Sequence, residues 1–321
     1  MTSARDGRPA RVVRIGPRGV GLLLALGLLV YVLLPQVGEF RSALRLLWHT
    51  HPLGLAATLL GSAATYLLSA LVLRVATADR IPLAEATVAQ VAASFANLAP
   101  GSVGGVALSL RYLHQKGLGA AEAATAVAVS RMAGGLSVVM LLPVLLPFAR
   151  QPSRTLTQAA SAKGLPVLLA VLAVLLATAV VFAVPRLRSR GRAAVGRVRE
   201  AVRALGHQRR LPRLVVSSVG LTLAYGVSLW FALLAVGQPV ELRSLPPVIL
   251  VCVVGEGVAT AAPTPGGLGA TEAALVAGLL LYGLAPETAV AGVLMYRLAT
   301  FWLPALAGYV ALRALLRRRL L

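Results

Sequence analysis

The chain has 321 residues, 58% of them hydrophobic and 13% charged, with 31 Lys plus Arg against 10 Asp plus Glu and a formal net charge of +21. A mean hydropathy of +0.83 is far above that of a soluble domain, and several apolar stretches reach the roughly 20 residues that cross a bilayer; a transmembrane barrel would need short alternating strands, which are not seen. The expected fold is therefore an all-α integral membrane protein, and the arginines between its spans mark cytoplasmic loops rather than nucleic-acid contacts, with anionic lipid headgroups as their natural partner.

Residues 1–18 carry Arg5, Arg8, Arg11, Arg14 and Arg18 against Asp6 and read as a basic cytoplasmic tail. One transmembrane domain follows over 19–315, and a second basic tail covers 316–321. The first span, about Gly19 to Val37, is long with a basic front and reads as an uncleaved span rather than a signal peptide. An outside loop holds Glu39, Arg41, Trp48, His49 and His51. The second span, about Pro52 to Val75, returns to a polar link over 77–80. Two short apolar arms then flank Asn97-Leu98-Ala99-Pro100-Gly101-Ser102-Val103-Gly104-Gly105. Each arm is about 12–17 residues, short for a full crossing, which predicts a re-entrant hairpin, with two tilted crossings as the alternative. Basic residues over 111–116 put its open end inside.

A long span, about Ala120 to Phe148, contains Arg131, and a span from Leu165 to Val184 returns inward. Residues 186–213 hold ten arginines and one acid, Glu200, and form a basic cytoplasmic loop with an amphipathic helical pattern. A span over about Leu214 to Val236 leads to a second arm pair, Val248 to Ala262 and Ala270 to Tyr282, around Pro263-Thr264-Pro265-Gly266-Gly267-Leu268-Gly269. Prolines lack a backbone donor and glycines disfavour helix, so the backbone breaks here. A broken backbone survives in hydrocarbon only where protein buries it or a wet cavity solvates it. The last span, about Ala289 to Leu312, ends at Arg313, Arg317, Arg318 and Arg319, inside.

The two breaks align. Pro100-Gly101-Ser102-Val103-Gly104 matches Pro265-Gly266-Gly267-Leu268-Gly269, Gly117-Leu118 matches Gly283-Leu284, and Arg131 matches Arg297. Repeat one (19–148) and repeat two (165–312) then carry opposite orientations. Inverted repeats with broken helices at corresponding positions point to a transporter and to its substrate site.

Ionisable groups inside a membrane face a cavity or a partner. Arg131 and Arg297 are candidate phosphate ligands, because the guanidinium fork matches phosphate and keeps its charge when desolvated. Glu256 and Glu272 flank the second break and can pair the arginines or take up protons; Asn97 and Arg111 belong to the first hairpin. Helices restarting after Pro100-Gly101 and Pro265-Gly266 offer free backbone N–H groups to an anion, with Gly104, Gly267 and Gly269 completing this backbone anion site and hinge. The competing reading makes Arg131 a bundle-holding partner of Glu122 or another acid. It also makes the glycines of 101–107 and Gly134-Gly135 close-packing residues, Glu85, Glu122 and Arg111 solvated interfacial groups, Pro143, Pro147 and Pro304 kinks or span ends, and Trp230 and Trp302 packing aromatics. Cys252 is the only cysteine, and the four histidines have no metal-ligand spacing. Walker and Gly-x-Ser-x-Gly sequences are absent. No cofactor and no enzymatic activity are expected.

The block Asn97-Leu98-Ala99-Pro100-Gly101-x-x-Gly104-Gly105, then Ser130-Arg131, Pro263-Thr264-Pro265-Gly266-Gly267-Leu268-Gly269-x-x-Glu272 and Tyr296-Arg297-Leu298-x-x-Phe301-Trp302-Leu303-Pro304, resembles the lysylphosphatidylglycerol synthase transmembrane-region family over about residues 20–315. The resemblance implies a plasma (inner) membrane protein that moves lipids between leaflets, in stand-alone form, since the longest polar segment, 186–213, leaves no room for the aminoacyltransferase domain of the fused members. It also implies an anionic phospholipid or polyprenyl-phosphate-linked lipid as substrate. The resulting expectation is a lipid flippase, multi-pass, with both termini cytoplasmic. Its rivals are an integral-membrane transferase on lipid-linked substrates and a non-catalytic partner of a lipid-modifying enzyme or glycosyltransferase.

Overall fold

The computed structural model describes residues 47, 50–98, 103–150, 210–239, 241–261 and 265–318. The expected spans 19–37 and 165–184, most of the basic loop 186–213, and Pro100, Gly101 and Pro263 lie outside the described residues. Those described contain helices and turns and no strand. In chain order the helices are α1 (Pro52–Ala76), α2 (Leu83–Ala96), α3 (Val103–Gln115), α4 (Ala120–Leu145), α5 (Leu211–Ala235), α6 (Leu245–Ala261), α7 (Ala270–Leu281), α8 (Pro286–Arg297) and α9 (Leu303–Arg317). A π turn, Leu298–Trp302, joins α8 to α9 without a break in direction. Among the described residues four stretches are long and apolar enough to cross a membrane: Pro52–Ala76, Ala120–Phe148, Leu211–Ala235 and Pro286–Arg317. The expected last span, 289–312, thus gains a turn at its end and starts earlier, at Pro286, where proline's fixed φ suits a first helical turn.

The frame is the antiparallel pair α1 and α5. A Cβ on Gly54 would lie 2.6 Å from the Ala235 backbone, one on Gly61 2.4 Å from Ser228 Oγ, and one on Gly220 3.6 Å from Leu68. Positions 54, 61 and 68 are seven apart, so one stripe of α1 meets one stripe of α5, and small residues let the backbones close. His51 N donates to Ala235 O at one end of the pair. At the other end, Asp79 sits between Arg74 (3.2 Å) and Arg213 (3.1 Å), in a turn that holds Ala78 and Asp79 at positive φ.

Two antiparallel hairpins pack on this frame. In the first, α2 and α3 are joined at their open end by a Glu85–Lys116 ion pair, and Arg80 pairs with Glu122 beside it. In the second, Gly255 of α6 packs on Leu275 of α7, and Gly278 on Val251. Their arms of 14, 13, 17 and 12 residues rise about 1.5 Å per residue, so each is shorter than the ~30 Å hydrocarbon core. The first hairpin opens at the basic end, with Arg74, Asp79 and Arg213. The second opens at the end where α5 finishes, and there Trp230 Nε1 donates to Ser244 Oγ at 3.0 Å. The hairpins therefore enter from opposite ends, and their tips meet: a Cβ on Gly266 would stand 3.7 Å from the Asn97 carbonyl oxygen.

Gly117 and Gly283, matched in the sequence alignment, both take positive φ (83° and 80°) at the end of the second arm. Behind each, the next residue bonds back to the helix, Leu118 N to Leu113 O and Leu284 N to Leu279 O. Glu122 is exposed, as the solvated reading has it, and pairs with Arg80, not with Arg131, whereas Glu85 is half-buried against Lys116. Gly104 and Gly105 pack at the hairpin turn against Ala96 O and Asn97 Oδ1. Gly134 and Gly135 meet no described atom within 4 Å, so no close packing is found there among the described residues.

Two outcomes are expected. Because Cys252 is buried, single cysteines at Ala121→Cys and Leu242→Cys should react with an impermeant maleimide from opposite sides of sealed vesicles. Gly308→Ala places a Cβ 2.4 Å from the rigid Val91 carbonyl; it should lower thermal stability in detergent by about 1–3 kcal/mol, while Gly220→Ala, with only ordinary contacts, should not.

Candidate functional site

The second break, α8 and the π turn build one buried polar cluster. Arg297, the last residue of α8, is 5% exposed. Its Nε donates to Glu272 Oε1 at 2.6 Å, its Nη2 donates to Gly266 O at 3.3 Å, and its guanidinium lies 4.3 Å from the Phe301 ring centroid. Glu272 also accepts from Gly269 N at 2.6 Å, which caps the start of α7. The carboxylate therefore occupies the expected backbone anion position: a negative group at a helix N-terminus, met by a guanidinium. Gly266 sits at φ 58°, and a Cβ there would fall 2.5 Å from Phe301 Cζ, so glycine is required both by conformation and by space. Gly267 accepts at its carbonyl from Thr271 Oγ1 (2.9 Å), and Gly269 takes φ 82° just before the helix.

Glu256 lies on α6, before the break. Its Oε1 accepts from Tyr296 Oη at 2.9 Å, and Tyr296 Oη stands 3.6 Å from Cys252 Sγ. The π turn next to Arg297 follows from Pro304. With no N–H at 304, the turn cannot close in the ordinary way; Leu303 N bonds to Leu298 O, and the carbonyls of Ala299 and Thr300 lose their helical donors. Ser62 Oγ donates to Ala299 O at 2.7 Å, and Tyr66 Oη donates to Thr300 O at 3.0 Å, both from α1. Ser94 Oγ of α2 donates to Pro304 O at 2.8 Å. In a hydrocarbon environment these side chains replace the water that would otherwise satisfy the backbone.

Not every candidate converges here. Asn97 touches the cluster through its carbonyl, beside Gly266, while its Oδ1 accepts from Gly105 N at 3.1 Å and holds the first turn. Arg131 does not: it is exposed on the face of α4 that carries Met132, Leu136 and Val139, opposite the buried stripe Ala126, Ala133, Ser137 and Leu141, and it makes no ion pair among the described residues. The sequence match with Arg297 aligns position along a span but not the face that position presents. Arg111 is exposed and lines an apolar groove with Ala107, Leu108, Leu312 and Leu316. Gly104 is the second residue of α3, whereas Gly269 precedes α7, so the two breaks are not superimposable in detail. Tyr296, Phe301, Cys252, Ser62 and Tyr66 join the site although residue chemistry alone did not assign them; the signal for Ser62 and Tyr66 was a polar pair one turn apart inside an apolar span. Among the described residues no group of three or more His, Cys, Asp or Glu is placed to hold a metal.

The fold and site define a multi-pass helical membrane protein with an ion pair buried where broken helices meet. The chain belongs to the family described as the lysylphosphatidylglycerol synthase TM region, whose family model matches residues 19–308. Membership ties it to membrane lipid biosynthesis or flipping. No curated protein matches the chain.

Breaking one side of a buried pair strands the other charge and costs about 3–5 kcal/mol. Arg297→Met and Glu272→Leu should each lower stability by that order in a denaturation assay in detergent. The double variant should lose clearly less than the sum; strict additivity would mean that the pair is not coupled.

Proposed function

We propose that the protein is a lipid flippase of the plasma membrane, a transporter rather than an enzyme, which moves an anionic phospholipid or polyprenyl-phosphate-linked lipid between leaflets. The observation that carries this reading is the arrangement at Glu272. A carboxylate there takes hydrogen bonds from Arg297 Nε and from the backbone N–H of Gly269, and this donor set suits a headgroup phosphate equally well. A substrate phosphate exchanging with Glu272 would leave its chains in the bilayer. Opposed hairpins whose tips meet beside this pair give each leaflet a route to one central site.

The same reading orients the chain. The end carrying Arg74, Arg80, Lys116, Arg213 and Arg313 is cytoplasmic by its positive charge, which puts both termini in the cytoplasm. In this reading Arg297 is the phosphate ligand, and Arg111, exposed near the cytoplasmic end of α3, meets headgroups at the membrane surface.

In liposomes, purified protein should accelerate exchange of a fluorescent phosphatidylglycerol and leave phosphatidylcholine near the protein-free rate. Arg297→Lys keeps the charge but loses the fork, and should slow exchange by about tenfold, or ~1.4 kcal/mol of barrier. Equal rates for wild type and protein-free liposomes with every anionic lipid offered, polyprenyl phosphate included, would defeat the proposal.

A further inference from the structure

The buried cluster holds two carboxyls and one guanidinium. Arg297 is committed to Glu272, and among the described residues the hydrogen-bonding partners of Glu256 are neutral, Tyr296 and through it Cys252. The groups that face Glu256 are Cys252 on its own helix, Tyr296 and Arg297 on α8, Glu272 on α7, Tyr66 on α1 and Tyr225 on α5. The titratable residues of α4, Glu122 and Arg131, are exposed, and Arg243 ahead of α6 pairs with Glu241 at the surface. Among the described residues Arg297 is thus the one cation facing two carboxyls. An uncompensated ion in hydrocarbon is strongly disfavoured, so the empty site is neutral when the carboxyl pair holds one proton.

The same count constrains the loaded site. A headgroup phosphate that takes Arg297 brings one negative charge and displaces Glu272 from its counter-ion. Neutrality then requires a second proton on the pair. Resting, the site holds one guanidinium, one carboxylate and one carboxylic acid; loaded, it holds one guanidinium, one phosphodiester anion and two carboxylic acids. We infer that transport is coupled to protons, with one proton bound by the Glu256–Glu272 pair for each headgroup charge carried, so that lipid and proton cross together without net charge. The proton belongs to the pair and to neither residue alone. Tyr296 and Cys252 line the Glu256 side and keep its carboxyl hydrogen-bonded while it changes state. This inference rests on the flippase reading and adds the coupling ion to it.

The test uses wild-type protein in liposomes containing fluorescent phosphatidylglycerol, with the membrane potential clamped at zero by potassium and valinomycin. A pH difference of one unit should shift the steady-state distribution by about tenfold toward the leaflet facing the alkaline side. In detergent, binding of the lipid should take up about one proton per molecule from weakly buffered solution, read with a pH indicator. Glu256→Gln/Glu272→Gln should abolish both signals; if that variant does not fold, the two wild-type readings stand by themselves. Lipid movement with no pH bias and no proton uptake overturns the coupling and leaves the flippase reading in place. Absence of lipid movement under every gradient overturns the flippase reading and this inference with it.

Discussion

Arginine keeps its charge in any environment a protein offers, so Arg297 in the middle of the bundle has to be answered from within. The answer organises the neighbourhood. Glu272 supplies the counter-charge, and it can do so because α7 restarts at Ala270, whose first turn turns that carboxylate back onto Gly269 N. The Gly266 carbonyl, released by the break, fills a further guanidinium donor, and the Phe301 face covers the rest. The break and the charge thus stabilise each other: the backbone groups that a continuous helix would have consumed are the ones the guanidinium and the carboxylate need.

A second set of unsatisfied groups sits one turn further on. Pro304 denies donors to the Ala299 and Thr300 carbonyls, and α1 returns Ser62 and Tyr66 to them. These contacts tie α8 and α9 to the α1–α5 frame at the level of the ion pair. The ion pairs at the basic end, Arg74–Asp79–Arg213, Arg80–Glu122 and Glu85–Lys116, are of a different kind. Arg80–Glu122 is exposed, where a pair adds at most about 1 kcal/mol, and the others are partly exposed at the helix ends. Their contribution is to hold helix ends together, closing the first hairpin and the α1–α2 turn, while the energetically expensive charges are confined to the centre.

The hairpins are held open to opposite ends by the same economy of size. Gly255 and Gly278 admit Leu275 and Val251 in the second hairpin, and Gly104 and Gly105 admit the end of α2 in the first. Gly308 lets α9 lie against Val91 and Phe95 of α2. Small residues at these crossings bring the two tips to one place, so that the Asn97 carbonyl stands beside Gly266.

The sequence by itself determined the membrane class, the broken arms and the residues at the second break. Those features follow from local chemistry: a run of apolar residues long enough for a bilayer, prolines without donors, glycines without a Cβ, and a clustering of arginines between spans. Arm boundaries read from the chain, such as 83–98 and 270–282, lie within two residues of α2 and α7 for that reason. The tertiary structure decided which charges meet. Arg131 and Arg297 look alike in sequence, each in a span after a broken hairpin, yet one faces outward from α4 and the other is buried against Glu272. Position along a helix is written in the spacing of residues, but the face presented to a neighbour depends on how helices far apart in the chain pack. The partners of Pro304's orphan carbonyls, more than 200 residues away in α1, are fixed only by that packing.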